Sequence, residues 1–491
     1  MAPAYRCGLP ARIEWPRPVR SRQHRPGGLM SFELRELMDA RRGENFRLHS
    51  EFLNPQLAKV LKTLGMDRFY ERGEGCYLYD RAGERYLDFL AGFGVFALGR
   101  SHPVIKKALS DAIEADLPNL VQLDCALLPG LLAEALVARV HAGLERCFFS
   151  NSGAEAIECA IKFSKYSTKR ARVLHADHSF HGLTNGALSL NGGAEFRQGF
   201  GPLLPGCDSV PFGDLDRLDR ELRRGDVAAF VVEIIQGKGV YMADDAYWSG
   251  VQSLCRQYGT LFVCDEVQTG LGRTGKLWAY EHYGLEPDIV TISKALSGGY
   301  VPVGATLCSA EVFDRVYSKM ERAVVHSTTF GRNQLAMVAG LATLQTLDDE
   351  NIVQRAQATG EAFTTALAPL VERYELFSEV RGQGLMIGLE FGEPSSLRLR
   401  SRWKMIETAR KGLFSQLVVA PLFQRHRILT QVAADNVNIV KLLPPLIAGQ
   451  EEVDYFTAAL DDVLGDAHRN SSLLFEFGKT LAKNAIQRER V

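Results

Sequence analysis

Long apolar runs are missing from this chain: no stretch of its 491 residues approaches the ~18 that a membrane span needs. An excess of one charge is missing too. Its 57 basic and 58 acidic side chains leave a formal net charge of −1. That offers no general attraction for a phosphate backbone and argues against nucleic acid as a partner. The nine cysteines are scattered, odd in number and free of any Cys-x-x-Cys pair. Neither a disulfide framework nor a zinc site fits, so we expect reduced thiols, no metal and a cytoplasmic location. Internal repeats and low-complexity blocks are also lacking. What remains is ordinary globular composition, 46% hydrophobic and 23% charged, on a chain long enough for two or more domains.

The first stretch stands apart. Residues 1–28 hold Arg6, Arg12, Arg17, Arg20, Arg22 and Arg25 among several prolines, with Glu14 as the single acid. The charge resembles that of a transit peptide, but prolines break the amphipathic helix such a signal needs. We expect residues 1–29 to be a disordered extension, with Met30 as an alternative start.

Downstream, residues 31–64 mix charged and apolar positions at helical spacing. Residues 77–88 read as a hairpin around an Asp-Arg-Ala-Gly turn, and residues 131–140 as a helix. Short apolar runs then alternate with helical stretches: 147–150, 172–176, 228–235, 261–265, 289–293 and 304–309. The alternation predicts an α/β domain with a mainly parallel sheet. After a long helix near 333–347, the spacing predicts a helix over 352–374 and strands over 385–391 and 437–442. We therefore expect an N-terminal segment over 30–90, a large domain over 91–345 and a smaller α+β C-terminal domain over 346–491.

Chemistry concentrates at strand ends. Lys294 closes an apolar strand and enters a small-residue turn, and Asp265 closes another 29 residues upstream. That separation suits one crossover between parallel strands, which brings successive carboxyl ends to one edge of the sheet. A lysine and an aspartate in one pocket there meet the needs of pyridoxal phosphate. The amine forms an imine with the aldehyde, and the acid keeps the pyridine nitrogen protonated. Ser152-Gly153-Ala154 lies in a turn entering a helix, where unpaired N–H groups suit a phosphate, although Ser and Asn also cap helices that bind nothing. Phe180 could stack on a flat ring or simply fill a core. His181 could carry a proton or hold a loop. Gly270-Leu271-Gly272-Arg273-Thr274-Gly275 matches a dinucleotide pattern but sits too far beyond its strand, and reads as a mobile glycine loop.

Ser152-Gly153-Ala154-Glu155-Ala156, Phe180-His181-Gly182, Asp265-Glu266-Val267-Gln268, Ser293-Lys294 and Thr329-Phe330-Gly331 occur in this order. Over about Glu71 to Leu446 the chain resembles the class III aminotransferases, fold-type I pyridoxal phosphate enzymes that include ornithine, acetylornithine and putrescine aminotransferases. The resemblance implies a seven-stranded sheet, Lys294 as the Schiff-base lysine and Asp265 as partner of the pyridine nitrogen. It further implies Gln268 near the phenolic oxygen, Phe180 against the ring, and Gly153 and Ala154 at the phosphate. Thr329 should reach the phosphate of a neighbouring subunit, so a homodimer with shared sites is expected. The implied reaction moves an amino group from an amine donor to a 2-oxo acid acceptor by ping-pong kinetics.

Three positions depart from the relatives. Leu183 stands where ornithine and acetylornithine enzymes carry an arginine for a substrate carboxylate. Lys238 replaces a glutamate, and Lys441 replaces the arginine that this glutamate pairs with. Arginine and lysine are not equivalent at a bidentate carboxylate site. We expect an amine donor whose carboxylate is remote or absent, unless Arg332 or Arg425 takes over the lost role. A racemase or aminomutase would keep the same cofactor residues. A cofactor-less scaffold would have no need of a buried lysine facing an aspartate.

Overall fold

The computed structural model of the chain describes residues 32–119, 123–434 and 437–469; the arginine-rich first stretch lies outside them. The described residues divide into two compact units, one up to Pro55 and one from Gln56 onward. Within the first, helices Leu34–Ala40 and Asn45–Phe52 bury none of their residues. Ion pairs such as Arg41–Glu44 at 2.7 Å and Arg47–Glu51 at 2.6 Å link neighbouring turns.

The second unit begins within helix Pro55–Leu64 and carries the expected hairpin. Strand β1 (Tyr70–Glu74) pairs with β2 (Tyr77–Asp80), which pairs with β3 (Arg85–Asp88) in the register Tyr77↔Leu87 and Tyr79↔Arg85. Its turn closes through Gly83 N–H to the Asp80 carbonyl at 3.0 Å, with Gly83 at φ +82°.

The central sheet has seven strands: β4 (Arg146–Ser150), β5 (Arg172–Ala176), β6 (Cys207–Val210), β7 (Val227–Val232), β8 (Leu261–Asp265), β9 (Ile289–Ile292) and β10 (Gly304–Cys308). Their order is β4-β10-β9-β8-β7-β5-β6, and only β10 runs antiparallel to its neighbours. β7 is buried along its whole length. Phe230 and Val232 enter one hydrophobic cluster, and Ala229 and Val231 enter the other. A strand covered on both faces gives the unbroken apolar run seen in the sequence. β6 escaped the sequence reading because only Val210 of its four residues is buried.

Beyond helices Gln334–Asp349 and Ile352–Arg373 lies a third sheet. It comprises β11 (Phe377–Gln383), β12 (Met386–Phe391), β14 (Gln431–Val432) and β15 (Ile439–Leu442), in the order β11-β12-β15-β14. The two-residue strand β13 (Ile428–Leu429) instead joins the N-terminal hairpin, parallel to β3. Three further helices, Leu397–Ala409, Leu413–His426 and Gln450–Arg469, belong to this part of the chain.

The segment read as a mobile glycine loop is a buried turn. Residues 270–274 are all buried. Gly272 N–H donates to the Leu277 carbonyl at 3.2 Å, and the Arg273 carbonyl accepts from Leu385 N–H at 2.9 Å. Its glycines serve close approach: a Cβ on Gly270 would lie 2.8 Å from the Glu266 carbonyl oxygen.

Candidate active site

The parallel strands and β4 deliver their carboxyl ends to one edge of the central sheet, and the candidate residues collect there. β8 ends in Asp265, and β9 runs into a 3-10 turn that begins with Lys294. Lys294 has φ +38°, an uncommon conformation for a residue with a Cβ. Ser293 holds the strand end by donating to the Val303 carbonyl at 2.6 Å. Burial pushes the Lys294 amine below its ordinary pKa, against the opposing charges of Asp265 and Glu233 and with help from Arg273. A lowered pKa makes the neutral, nucleophilic form of the amine easier to reach.

Asp265 is buried, and each of its oxygens has a partner. One carboxylate oxygen accepts from Val267 N–H at 3.0 Å and the Thr291 hydroxyl at 3.2 Å; the other meets His181 Nδ1 at 2.7 Å. Burial disfavours charge on His181, but the hydrogen bond and charge of Asp265 outweigh it and raise the imidazole pKa. His181 is held in turn by Asn191, whose side-chain oxygen accepts from His181 N–H at 2.7 Å and whose amide donates to the Gly182 carbonyl at 2.9 Å.

A cavity of about 170 Å³ is lined by Gly153, Ala154, Phe180, His181, Gly182, Glu233, Asp265, Val267, Gln268, Ser293 and Lys294. Seven residues singled out from the sequence thus share one pocket: Gly153, Ala154, Phe180, His181, Asp265, Gln268 and Lys294. Ser152 stands behind it as the cap of the 16-residue helix Gly153–Thr168, its hydroxyl accepting from Glu155 N–H at 3.2 Å. Side chains larger than those present have no room. A Cβ on Gly153 would lie 2.8 Å from Val267, and one on Gly182 would lie 2.6 Å from the Ala154 Cβ. A pocket with a depressed lysine, an anchored acid and a helix N-terminus in its lining fits pyridoxal phosphate.

The other predicted residues lie outside that lining. Leu183 is 57% exposed. Lys238 pairs with Glu195 at 2.6 Å and lies 3.7 Å from the centre of the Phe196 ring, which meets Phe180 edge-on. Lys441 is buried on β15; its amine donates to the Gly237 carbonyl at 2.5 Å and to Gln268 Oε1 at 3.1 Å. Burial and the charge of Lys294 lower its pKa to about 7. Thr329 is exposed, beside Thr328, which accepts from the Asn151 amide at 2.8 Å. The substitute cations are engaged elsewhere: Arg425 binds Asp462 and Asp466, and Arg332 donates to the Asp124 carbonyl at 3.4 Å.

Two groups near the site escaped the sequence reading. Glu233 follows β7, two residues short of the predicted strand end. Its buried carboxylate accepts from Phe180 N–H at 2.9 Å and Gly237 N–H at 2.8 Å, and burial raises its pKa. A lone acid at the end of an apolar run was its signal. Arg273 is fully buried, donating to the Leu385 carbonyl at 3.1 Å and to the Pro444 carbonyl, and burial lowers its pKa to about 9. Its charge inside an apparent glycine loop was the missed clue.

Comparison with known proteins agrees with this geometry. The model of the class-III aminotransferase family matches residues 61–464. An acetylornithine aminotransferase from Synechocystis is 38% identical over 78% of this chain and 86% of its own length. A putrescine aminotransferase from Pectobacterium atrosepticum is 38% identical over 84% and 87%. Aminotransferase PigE from Serratia is 35% identical over 87% of this chain, which spans about half of PigE, 54% of its length. Among solved structures, the ornithine aminotransferase of Toxoplasma gondii superposes with a TM-score of 0.77 at 27% identity, covering 89% of this chain and 99% of that one. The ω-transaminase of Pseudomonas jessenii, solved in complex with PMP, superposes with a TM-score of 0.75 at 26% identity, covering 84% and 94%.

The chain belongs to the class III aminotransferases. It is a fold-type I, pyridoxal phosphate-dependent enzyme of amino-group transfer.

Proposed function

We propose that this aminotransferase takes its amino group from a primary amine or ω-amino donor without binding a carboxylate of that donor, and passes it to a 2-oxo acid. One observation carries the proposal. The cation at the position where relatives read a carboxylate, Lys441, already gives its amine to Gly237 and Gln268, while Leu183 supplies no charge at all. The putrescine aminotransferase among the relatives is named for such a diamine.

When bound, pyridoxal phosphate supplies the aldehyde that accepts the amino group and the ring that withdraws electrons. Lys294 Nζ would be the group that bonds the cofactor and carries a proton at the reacting carbon. Asp265, braced by His181, would hold the pyridine nitrogen, and Phe180 would cover the ring. Gln268 would attend the phenolic oxygen, while Ser152, Gly153 and Ala154 would receive the phosphate.

The working unit is a homodimer in which Thr329 reaches the partner's phosphate. Exposed Met320, Val324 and Phe330 beside Thr329 support that reading, as does a larger cavity of about 670 Å³ that reaches Thr328 but holds neither Lys294 nor Asp265. Among the described residues no helix is long and apolar enough to cross a membrane, in keeping with a cytoplasmic enzyme. Residues 91–345 are the cofactor-binding domain and 346–491 the smaller one, with helix Gln334–Asp349 running across the boundary.

A donor panel against 2-oxoglutarate and pyruvate tests the substrate class. Putrescine-like amines should be turned over well, and ornithine and acetylornithine poorly. The reverse ranking overturns the proposal, and product formed without any acceptor points to a racemase or aminomutase.

A further inference from the structure

Lys441 is an odd occupant of its position. It lies on a strand paired on both sides, opposite Gly388 of β12 and Gln431 of β14, so its backbone is fixed by two ladders. Only 5% of the residue is exposed. Both hydrogen-bond acceptors of its amine, the Gly237 carbonyl and Gln268 Oε1, are neutral oxygens. A neutral amine has two N–H groups, so this arrangement survives loss of the ammonium proton.

What those acceptors touch gives the lysine its meaning. Gln268 donates through Nε2 to the Phe93 carbonyl at 3.1 Å, so both ends of its carboxamide are held. Gly237 donates to Glu233 at 2.8 Å, and the other oxygen of Glu233 receives Phe180 N–H at 2.9 Å. The bonds run without a break from Phe93 through Gln268, Lys441, Gly237 and Glu233 to Phe180. Space around them is tight: a Cβ on Gly237 would lie 2.8 Å from Gln268 Oε1 and 2.9 Å from Glu233 Oε1. Lys441 thus joins two walls of the cofactor cavity, Gln268 and the Glu233–Phe180 side, from a strand outside the central sheet.

We propose that Lys441 is a positioning residue that fixes the Gln268 carboxamide in the orientation the cofactor needs, and that it does not receive a substrate carboxylate. The inference rests on the reading of Gln268 as a cofactor contact. Loss of Lys441 frees the Gln268 amide to rotate, so the effect must travel through Gln268.

The test is a double-mutant cycle on the holoenzyme, read by the dissociation constant of pyridoxal phosphate and by the pH titration of its visible band. Losing one hydrogen bond changes an equilibrium by roughly two- to tenfold. Lys441→Met should therefore weaken cofactor binding by about that factor and displace the band titration. Gln268→Leu should do the same, and the double variant should bind no more weakly than Gln268→Leu alone. Independent, multiplying losses would overturn the proposal. So would a Lys441→Met protein with wild-type cofactor affinity and band titration but a raised KM for the 2-oxo acid. Should Lys441→Met fail to fold, Lys441→Arg keeps a donor for Gln268. It should hold both readouts near wild type, and a loss as large as that of Gln268→Leu would overturn the idea. A Gln268→Leu protein indistinguishable from wild type would instead sink the reading of Gln268 itself, which separates the two failures.

Discussion

Replacing His181 by phenylalanine removes the donor that meets Asp265 Oδ2 at 2.7 Å. Both side chains are buried, so water does not replace the lost contact, whereas Asp265 Oδ1 keeps Val267 N–H and the Thr291 hydroxyl. A hydrogen bond to a charged group contributes about 1.5–3 kcal/mol, and with Asp265 still half satisfied we expect the lower half of that range. The pH dependence has a definite sign. The folded pKa of His181 is raised by Asp265, so the pair's contribution is fully present below the unfolded value and is lost as pH rises through the folded value. Urea unfolding of cofactor-free protein, followed from below the ordinary histidine pKa upward, reads that loss. The wild type should lose stability as pH rises relative to His181→Phe, with the two curves converging at high pH. A constant offset at every pH, or a gap that widens as pH rises, would refute the charged-pair account.

Leu183→Arg should improve turnover of carboxylated donors over the parent if position 183 faces the bound substrate, measured as kcat/KM for ornithine relative to putrescine. An unchanged ratio would show that the exposed side chain stays clear of the substrate. Gly237→Ala places a Cβ 2.8 Å from Gln268 Oε1 and 2.9 Å from Glu233 Oε1. Overpacking of that kind costs about 1–3 kcal/mol, and the thermal midpoint should fall with or without cofactor. An unperturbed midpoint would mean that the bridge yields at no cost.

The parts of the site legible in the sequence are those written locally. Asp265 and Lys294 each end an apolar run, and the crossover rule brings such ends together whatever the loops between them do. The turn at Ser152 was readable for the same reason: strand, small residues and helix follow one another directly. β6 was not, because it presents a polar face and its apolar partner Val210 comes last. Lys441 lies 173 residues from Gln268, and no local pattern pairs them. Comparison by position marked it as the replacement of an arginine at a carboxylate site, and the folded chain shows its amine bound to neutral oxygens. Arg273 was misread because glycines usually mark exposed turns. Here they let the backbone pass close to its neighbours around a buried guanidinium.

Two buried lysines with lowered pKa values stand near one cavity, Lys294 and Lys441, so the identity of the cofactor-bonding amine is a direct question. Borohydride reduction of the holoenzyme fixes pyridoxal phosphate to whichever lysine bonds it, and digestion with mass spectrometry then reads the site. The modification should fall on Lys294 alone, with the visible band lost in Lys294→Ala. A pyridoxyl group on Lys441 or Lys238, or a band that survives in Lys294→Ala, would contradict the account at its centre.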